Sequence, residues 1–201
     1  MTVPPPVPKS IIHRVQRWYL DRQVGVLAPF LSPDDELLDF GCGDGSLGEG
    51  LAARIPGLRV TGVDVVNSPA RPGVRFIKYA GNAMPFDDRS FDVLLAYHVL
   101  HHCSDPAATL WECCRVARRR IIMIEPTFRS ALDLPAMRGS DWLFNAWKPE
   151  PVPMPYAFQR RDRWRRLLTE YGFRIEREDR VSVFPAWLPL GETVLFSAAR
   201  A

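Results

Sequence analysis

The sequence predicts an α/β fold: a doubly wound, seven-stranded, mostly parallel sheet with an antiparallel last strand and helices on both faces. Three observations lead there. Strand-length apolar runs at 36–40, 58–64, 74–79, 91–97 and 120–125 are separated by helix-spaced or turn-rich segments, the arrangement that builds parallel sheets. The first run carries Asp39 near its end and is followed by glycine at every second position, Gly41-Cys42-Gly43-Asp44-Gly45, before a helix pattern opens with Leu47, Leu51 and Ile55. Two further runs, 173–183 and 192–199, close the chain as an antiparallel hairpin. At 201 residues, 47% apolar and 24% charged, the chain has the size and composition of one domain with a full core.

The elements follow in order. Residues 1–9 are a Pro-rich tail with no apolar h-region, so they are expected to be disordered and not to act as a signal peptide. Residues 10–31 read as an N-terminal helix, with Ile11, Ile12, Val15, Trp18, Tyr19, Val26, Leu27 and Phe30 near helical spacing. Ser32-Pro33-Asp34-Asp35 is a turn. The segment Ser68-Pro69-Ala70-Arg71-Pro72-Gly73, before the third strand, is short and broken by proline, which leaves little room for a helix. A helix over 106–118 takes Ser104 or Asp105 as its cap. Residues 126–158 show no clear period and form an insertion crowded with Phe128, Trp142, Phe144, Trp147, Met154 and Tyr156. That stretch reads as a lid over an apolar or aromatic ligand or as a dimer contact. A helix at 160–171 ends at Gly172. Residues 10–201 are thus one domain.

Several function classes are set aside at this point. The net charge of +3 is small and demands no basic surface. In Arg160-Arg161-Asp162-Arg163-Trp164-Arg165-Arg166 the partners Trp164, Leu167, Leu168 and Tyr171 fall at i, i+3, i+4 and i+7, so the arginines read as the solvated back of a packed helix, not a nucleic-acid surface. No run of eighteen apolar residues exists to span a membrane, and a cytoplasmic location is expected. Cys42, Cys103, Cys113 and Cys114 lack C-x-x-C spacing and read as free thiols. Cys103 with His98, His101 and His102 is read as pocket wall, and no metal is assigned.

A glycine-rich turn between strand and helix is where open α/β sheets hold a nucleotide-like cofactor, because glycine lets the backbone lie against the ligand and the helix start offers free N–H groups. A dinucleotide fingerprint counted from Gly41 needs glycine at 46, which is Ser46; the shifted frame Gly43, Gly45, Gly48 starts two residues late. Asp64, at the tip of the second strand, suits both hydroxyls of a ribose and serves NAD or S-adenosylmethionine equally well.

The blocks that follow break the tie. Asp39 with Gly41, Gly43 and Gly45, then Asp64, then Gly81-Asn82-Ala83-Met84-Pro85-Phe86, then Ser90-Phe91-Asp92 through Val99-Leu100-His101-His102 resemble, in this order and spacing, the class I S-adenosylmethionine-dependent methyltransferases, in their small-molecule (type 11-like) branch. The resemblance runs from about Leu37 to Pro126 and implies a Rossmann-like sheet. It implies a cofactor, S-adenosylmethionine, held by Asp39, Gly41, Gly43, Gly45, Asp64, Val65, Asn82, Ala83, Met84 and His98, with S-adenosylhomocysteine as product. Asp39 would lie near the ammonium group, Asp64 would hold the ribose, and Val65 and Met84 would wall the adenine. Asn82 stands where the family more often has Asp; it keeps an acceptor oxygen but loses the charge.

Methyl transfer from a sulfonium is an in-line displacement, so alignment and exclusion of water are the protein's main tasks. Where the acceptor must lose a proton, His101 or His102 is the candidate base, with His98 and Glu125 on the same edge. The expected partner is a small-molecule acceptor, aromatic or apolar, with neither nucleic acid nor membrane, and the chain is expected as a monomer or homodimer. Two other readings stay open: a catalytically silent domain of the same fold, and an NAD-dependent oxidoreductase.

Overall fold

The structure is a computed structural model, and it describes residues 9–67, 70–81, 83–145, 152–181 and 192–201. The expectations for the N-terminal tail, Asn82, Trp147 and the end of the sixth strand at 182–183 lie outside the described residues. Seven strands form one sheet: β1 (Glu36–Phe40), β2 (Arg59–Asp64), β3 (Val74–Lys78), β4 (Phe91–Tyr97), β5 (Ala117–Thr127), β6 (Phe173–Arg180) and β7 (Glu192–Arg200). Their order is β3-β2-β1-β4-β5-β7-β6. The β1 to β5 pairs are parallel, and β7 is antiparallel to both its neighbours, as the sequence indicates.

The alternation along each strand builds two cores. Leu38 and Phe40 of β1, Leu94 and Ala96 of β4, and Ile121 and Met123 of β5 face one side, where they meet Leu110, Cys113 and Val116 of α3 (Pro106–Val116) and Trp164, Leu167 and Leu168 of α5 (Arg161–Glu170). Leu37, Val93, Leu95, Ile122 and Ile124 face the other, against Val24 and Leu27 of α1 (Lys9–Leu27) and Leu51 of α2 (Ser46–Arg54). Burial on both faces explains why these strands read as continuous apolar runs. Asp105 is the cap of α3, accepting from the Ala107 and Ala108 N–H groups, with Pro106 opening the helix. Among the described residues no helix joins β2 to β3, which agrees with the proline-broken segment.

The basic run behaves as its periodicity demands. Trp164, Leu167 and Leu168 are buried, while Arg165 pairs with Glu178 of β6 at 2.6 Å and Arg161 pairs with Glu178 and Glu192. The 126–158 insertion is a correction: it is not irregular throughout, because Leu134–Asn145 forms a helix, α4. It starts behind a Ser130–Asp133 capping box. Its period was hidden because its inward positions are Met137, Asp141 and Asn145, four residues apart but only one of them apolar, while Trp142 and Leu143 are half exposed.

The fully buried Trp164 sets the packing of α5 on α3. Trp164→Ala is expected to lower unfolding free energy by about 3–5 kcal/mol in urea titration, against less than about 0.5 kcal/mol for exposed Arg166→Ala.

Candidate active site

The sheet order reverses direction at β1 and β4, so the loops leaving their C-terminal ends diverge and open a crevice, the general ligand position of such sheets. The β1 loop holds its shape through glycine. Gly41, Gly43 and Gly45 have φ of +70°, +56° and +74°, the left-handed region that side chains avoid. A Cβ on Gly41 would lie 2.2 Å from Val99 Cγ2, so the loops after β1 and β4 touch only because that position is glycine. The Gly41 N–H donates to the Val63 carbonyl (2.8 Å), which ties the loop to the end of β2.

Two carboxylates stand at adjacent strand ends. Asp64 accepts from the Gly43 N–H (2.8 Å) and the Val66 N–H (3.1 Å). Each of its oxygens keeps a lone pair for a hydroxyl donor. Asp39 is buried, and its Oδ2 has no hydrogen-bond partner. Burial, reinforced by the nearby charge of Asp64, raises the Asp39 carboxyl to about 7. Neither forms an ion pair with a basic side chain among the described residues. At the mouth of the loop Asp44 accepts from the Ser46 N–H and hydroxyl, and Arg71 braces it from outside, reaching the Asp44 carboxylate at 2.8 Å and Glu49 at 3.3 Å.

The next two loops converge on the same edge. A Cβ on Gly81 would be 3.4 Å from Val65 Cγ1, so Val65, which is exposed, faces the 81–86 loop. Ala83 is exposed there, whereas the Met84 side chain is buried in the core beneath β4. The loop is pinned by a bracket on α3 that sequence reading missed. Glu112 accepts from the Met84 N–H at 2.6 Å, and the Arg115 guanidinium reaches the carbonyls of Phe86 (2.8 Å) and Met84 (3.3 Å). A Glu–Arg pair three apart on a helix carries no signal in sequence that distinguishes it from an ordinary surface pair.

On the other side of the crevice the loop after β4 hangs from Glu125 of β5. This fully buried carboxylate accepts from the Val99 and Leu100 N–H groups, both at 2.8 Å, and from His101 Nδ1 at 2.7 Å. Burial alone would lower His101, but the charge of Glu125, with Asp141, outweighs it and holds the ring up at about 9. His98 lies in the left-handed region at φ +50°, its Nε2 sealed from solvent and without a partner; burial lowers it to about 4. His102 sends Nδ1 to the Pro153 carbonyl at 2.8 Å. Both His101 and His102 turn Nε2 toward Asp141 Oδ1 of α4, at 3.5 and 3.4 Å. Phe158, buried, stacks on the His101 ring at 4.9 Å and 17°.

The sequence-derived residues therefore divide into two groups. Asp39, the glycine loop, Asp64, Val65 and Ala83 ring the β1–β3 side; His98, His101, His102 and Glu125 form the β4–β5 side. Asp141 and Phe158 complete that second side without having been anticipated. The fit for an adenosyl ligand bearing positive charge rests on the orphaned Asp39 oxygen and on a loop that tolerates no Cβ at Gly41.

Comparison with known proteins agrees. Residues 38–124 match the family model for a methyltransferase domain. The ubiquinone biosynthesis O-methyltransferase of Nitrosomonas europaea is 28% identical over 111 residues, which cover 50% of this chain and 44% of that protein. The demethylmenaquinone methyltransferase of Chlorobaculum tepidum is 33% identical over 91 residues, covering 42% of this chain and 37% of that protein. The matches thus span less than half the length of either relative. In fold, the magnesium protoporphyrin IX methyltransferase of Synechocystis PCC 6803, solved with bound S-adenosylhomocysteine, superposes with a TM-score of 0.64 over 92% of this chain and 84% of that one, at 21% identity. Glycine loop, paired strand-end carboxylates, sheet order and the match over residues 38–124 agree in likening this chain to the class I S-adenosylmethionine-dependent methyltransferases.

Proposed function

We propose that this protein transfers a methyl group from S-adenosylmethionine to a hydroxyl oxygen on a flat, conjugated small molecule. The observation that carries the cofactor assignment is the buried Asp39 carboxylate, whose Oδ2 has no hydrogen-bond partner and which a cationic ligand would complete. Asp39 would face the ammonium group, the glycine loop would lie along the methionine portion, and Asp64 would take the ribose hydroxyls. Val65 and the 81–86 loop, braced by Glu112 and Arg115, would enclose the adenine. The bound cofactor supplies a methyl group on a sulfonium, already activated for displacement. What is left to the protein is alignment and the exclusion of water.

The relatives' names refer to ubiquinone, menaquinone and protoporphyrin, all conjugated ring compounds. Phe158, Tyr156 and the two imidazoles give this chain a ring-lined wall at the end of β4. His101 is a positioning residue here, since Glu125 and Asp141 engage both its nitrogens. His102 is the group that takes the acceptor's proton. A carbonyl only accepts, so Pro153 fixes the hydrogen on Nδ1 and leaves Nε2, beside Asp141, with a lone pair able to take a proton.

The test is product formation. The purified protein, S-adenosylmethionine and a panel of catechols, quinols and porphyrin carboxylates are incubated, and mass gain of one methyl is followed by mass spectrometry. Methylated phenolic product supports the reading. Methylation confined to carbon or to carboxylates overturns the hydroxyl assignment, and no turnover with tight cofactor binding leaves the silent-domain reading.

Two further outcomes are expected. Asp64→Ala weakens S-adenosylhomocysteine binding at least about tenfold in calorimetry, the loss of two charge-assisted hydrogen bonds at ~1.5 kcal/mol or more. The second concerns Asp39, whose folded-state pKa lies above its unfolded value of 3.8. The folded, ligand-free protein then binds the extra proton, so its stability falls as pH rises through the window between those values and levels off above about 7. Asp39→Asn abolishes that decline in urea titrations at successive pH values. A cationic ligand favours the ionised form, so wild-type affinity for S-adenosylhomocysteine rises from about pH 5.5 to about pH 7.5, and the Asn variant shows no such rise.

A further inference from the structure

Three side-chain atoms able to ligate a metal ion converge on the acceptor side of the crevice. His101 and His102 are neighbours in the short 3-10 turn after β4, and Asp141 reaches them from α4. In each ring the far nitrogen is already committed. His101 Nδ1 donates to Glu125 Oε2, a carboxylate whose other oxygen accepts two backbone N–H groups; His102 Nδ1 donates to the Pro153 carbonyl. Both Nε2 atoms point at the Asp141 carboxylate, and once an incoming ion displaces the Nε2 proton of His101 both offer it a lone pair. The separations, 3.5 and 3.4 Å, are long for a charge-assisted N–H···O bond, which measures about 2.7–2.9 Å. They match the edge between two ligands of a tetrahedral ion, about 3.3–3.4 Å for bonds of about 2.0–2.1 Å. The three donor atoms all lie within 4.8 Å of one another. Asp141 Oδ2 is buried and has no partner, while Asn145 Nδ2 donates to Oδ1 at 2.9 Å and steadies the carboxylate.

We propose that His101, His102 and Asp141 bind one divalent transition-metal ion of the zinc type. Two imidazoles and one carboxylate are the donor set of open metal sites, in which three protein ligands leave a further position for water or substrate. The surroundings are those such ligands require: each imidazole is held at its second nitrogen by a carboxylate or a carbonyl, which fixes tautomer and ring plane. His102 and Asp141 keep 12% and 11% of their side-chain surface accessible, so an ion has a way in. Closing the donors onto it takes shifts of about 1 Å or less.

The inference deepens the acceptor reading above and rests on it for its role. The Nε2 lone pair of His102 then holds the ion instead of the acceptor's proton. An acceptor hydroxyl bound at the open position releases its proton to solvent and keeps the electron pair as an ion-stabilised oxyanion.

The experiment uses the full chain, stripped with a chelator and dialysed. Zinc chloride is titrated in calorimetrically, and cobalt(II) is added in parallel while its visible d–d absorption is followed. One tight equivalent and the intense spectrum of a four- or five-coordinate cobalt are expected. Asp141→Asn and His102→Ala should each weaken binding at least about tenfold, and Glu125→Gln about tenfold through its hold on His101. His13→Ala, on exposed α1, should leave it unchanged. Circular dichroism and S-adenosylhomocysteine binding check that each variant is folded. The site is overturned if the wild type retains no ion, if cobalt gives only the weak six-coordinate spectrum, or if folded Asp141→Asn and His102→Ala bind as well as wild type. Loss of adenosyl-ligand binding in wild type sinks the methyl-transfer reading and leaves the metal result standing on its own.

Discussion

Glu125 is the interaction on which the functional half of the molecule depends. A carboxylate with no exposure, on a strand between parallel β4 and antiparallel β7, is tolerable only if its lone pairs are met. Here two backbone N–H groups and one imidazole meet them. Because the donors are Val99, Leu100 and His101, the chain leaving β4 must turn sharply beside β5, with His98 forced into the left-handed region to do so. That turn presses Val99 against Gly41 and so sets the width of the crevice. It also aims His101 and, through the next residue, His102 at α4. The glycine loop and the histidine-bearing wall opposite it are therefore positioned by one buried anion.

How much of this could be read from the chain follows from the range of each interaction. The glycine loop, Asp39, Asp64 and the strand order were legible because their physical demands are local: positive φ, a strand tip, an unbroken apolar run. The reduced crossover before β3 was legible for the same reason, since proline acts on its own neighbours. Asp141 was not. Its helix turns Met137, Asp141 and Asn145 inward, and apolar periodicity cannot detect a face that is two-thirds polar. Met84 shows the converse ambiguity. A methionine in the adenine-contact block reads equally as pocket lining or as core; its side chain is buried in the core cluster, and its N–H is held by Glu112. The Glu112–Arg115 bracket and the stacking of Phe158 on His101 span 28 and 57 positions, and nothing local announces contacts of that kind.

Charge distribution ties the two sides of the crevice together. The chain is +3 overall, but its arginines are spent on the outside: Arg71 on Asp44 and Glu49, Arg115 on Glu112 and Asp88, Arg161 and Arg165 on Glu178. Inside the crevice stand Asp39, Asp64, Glu125 and Asp141, and only Glu125 and Asp141 meet a group able to carry positive charge, the imidazoles. A low-dielectric cleft lined with carboxylates draws cations and repels anions more strongly than the same groups would at the surface.

That asymmetry bears on the choice between an adenosyl cation and a dinucleotide more directly than any glycine count. A dinucleotide needs its pyrophosphate at the start of the helix after β1, on free N–H groups and the positive end of the helix dipole. In this chain the position is taken: the Asp44 carboxylate accepts from the Ser46 N–H at 3.1 Å and from its hydroxyl at 2.7 Å, as an internal anion. A pyrophosphate would have to displace Asp44 and then lie near Asp39 and Asp64, adding negative charge where burial and the charge of Asp64 already raise the Asp39 carboxyl. A ligand bearing an ammonium and a sulfonium reverses both signs. It would leave Asp44 in place, and it would let Asp39 ionise against a partner. The same electrostatics that raise the buried Asp39 carboxyl thus favour a cationic ligand over an anionic one, independently of any contact to its adenine.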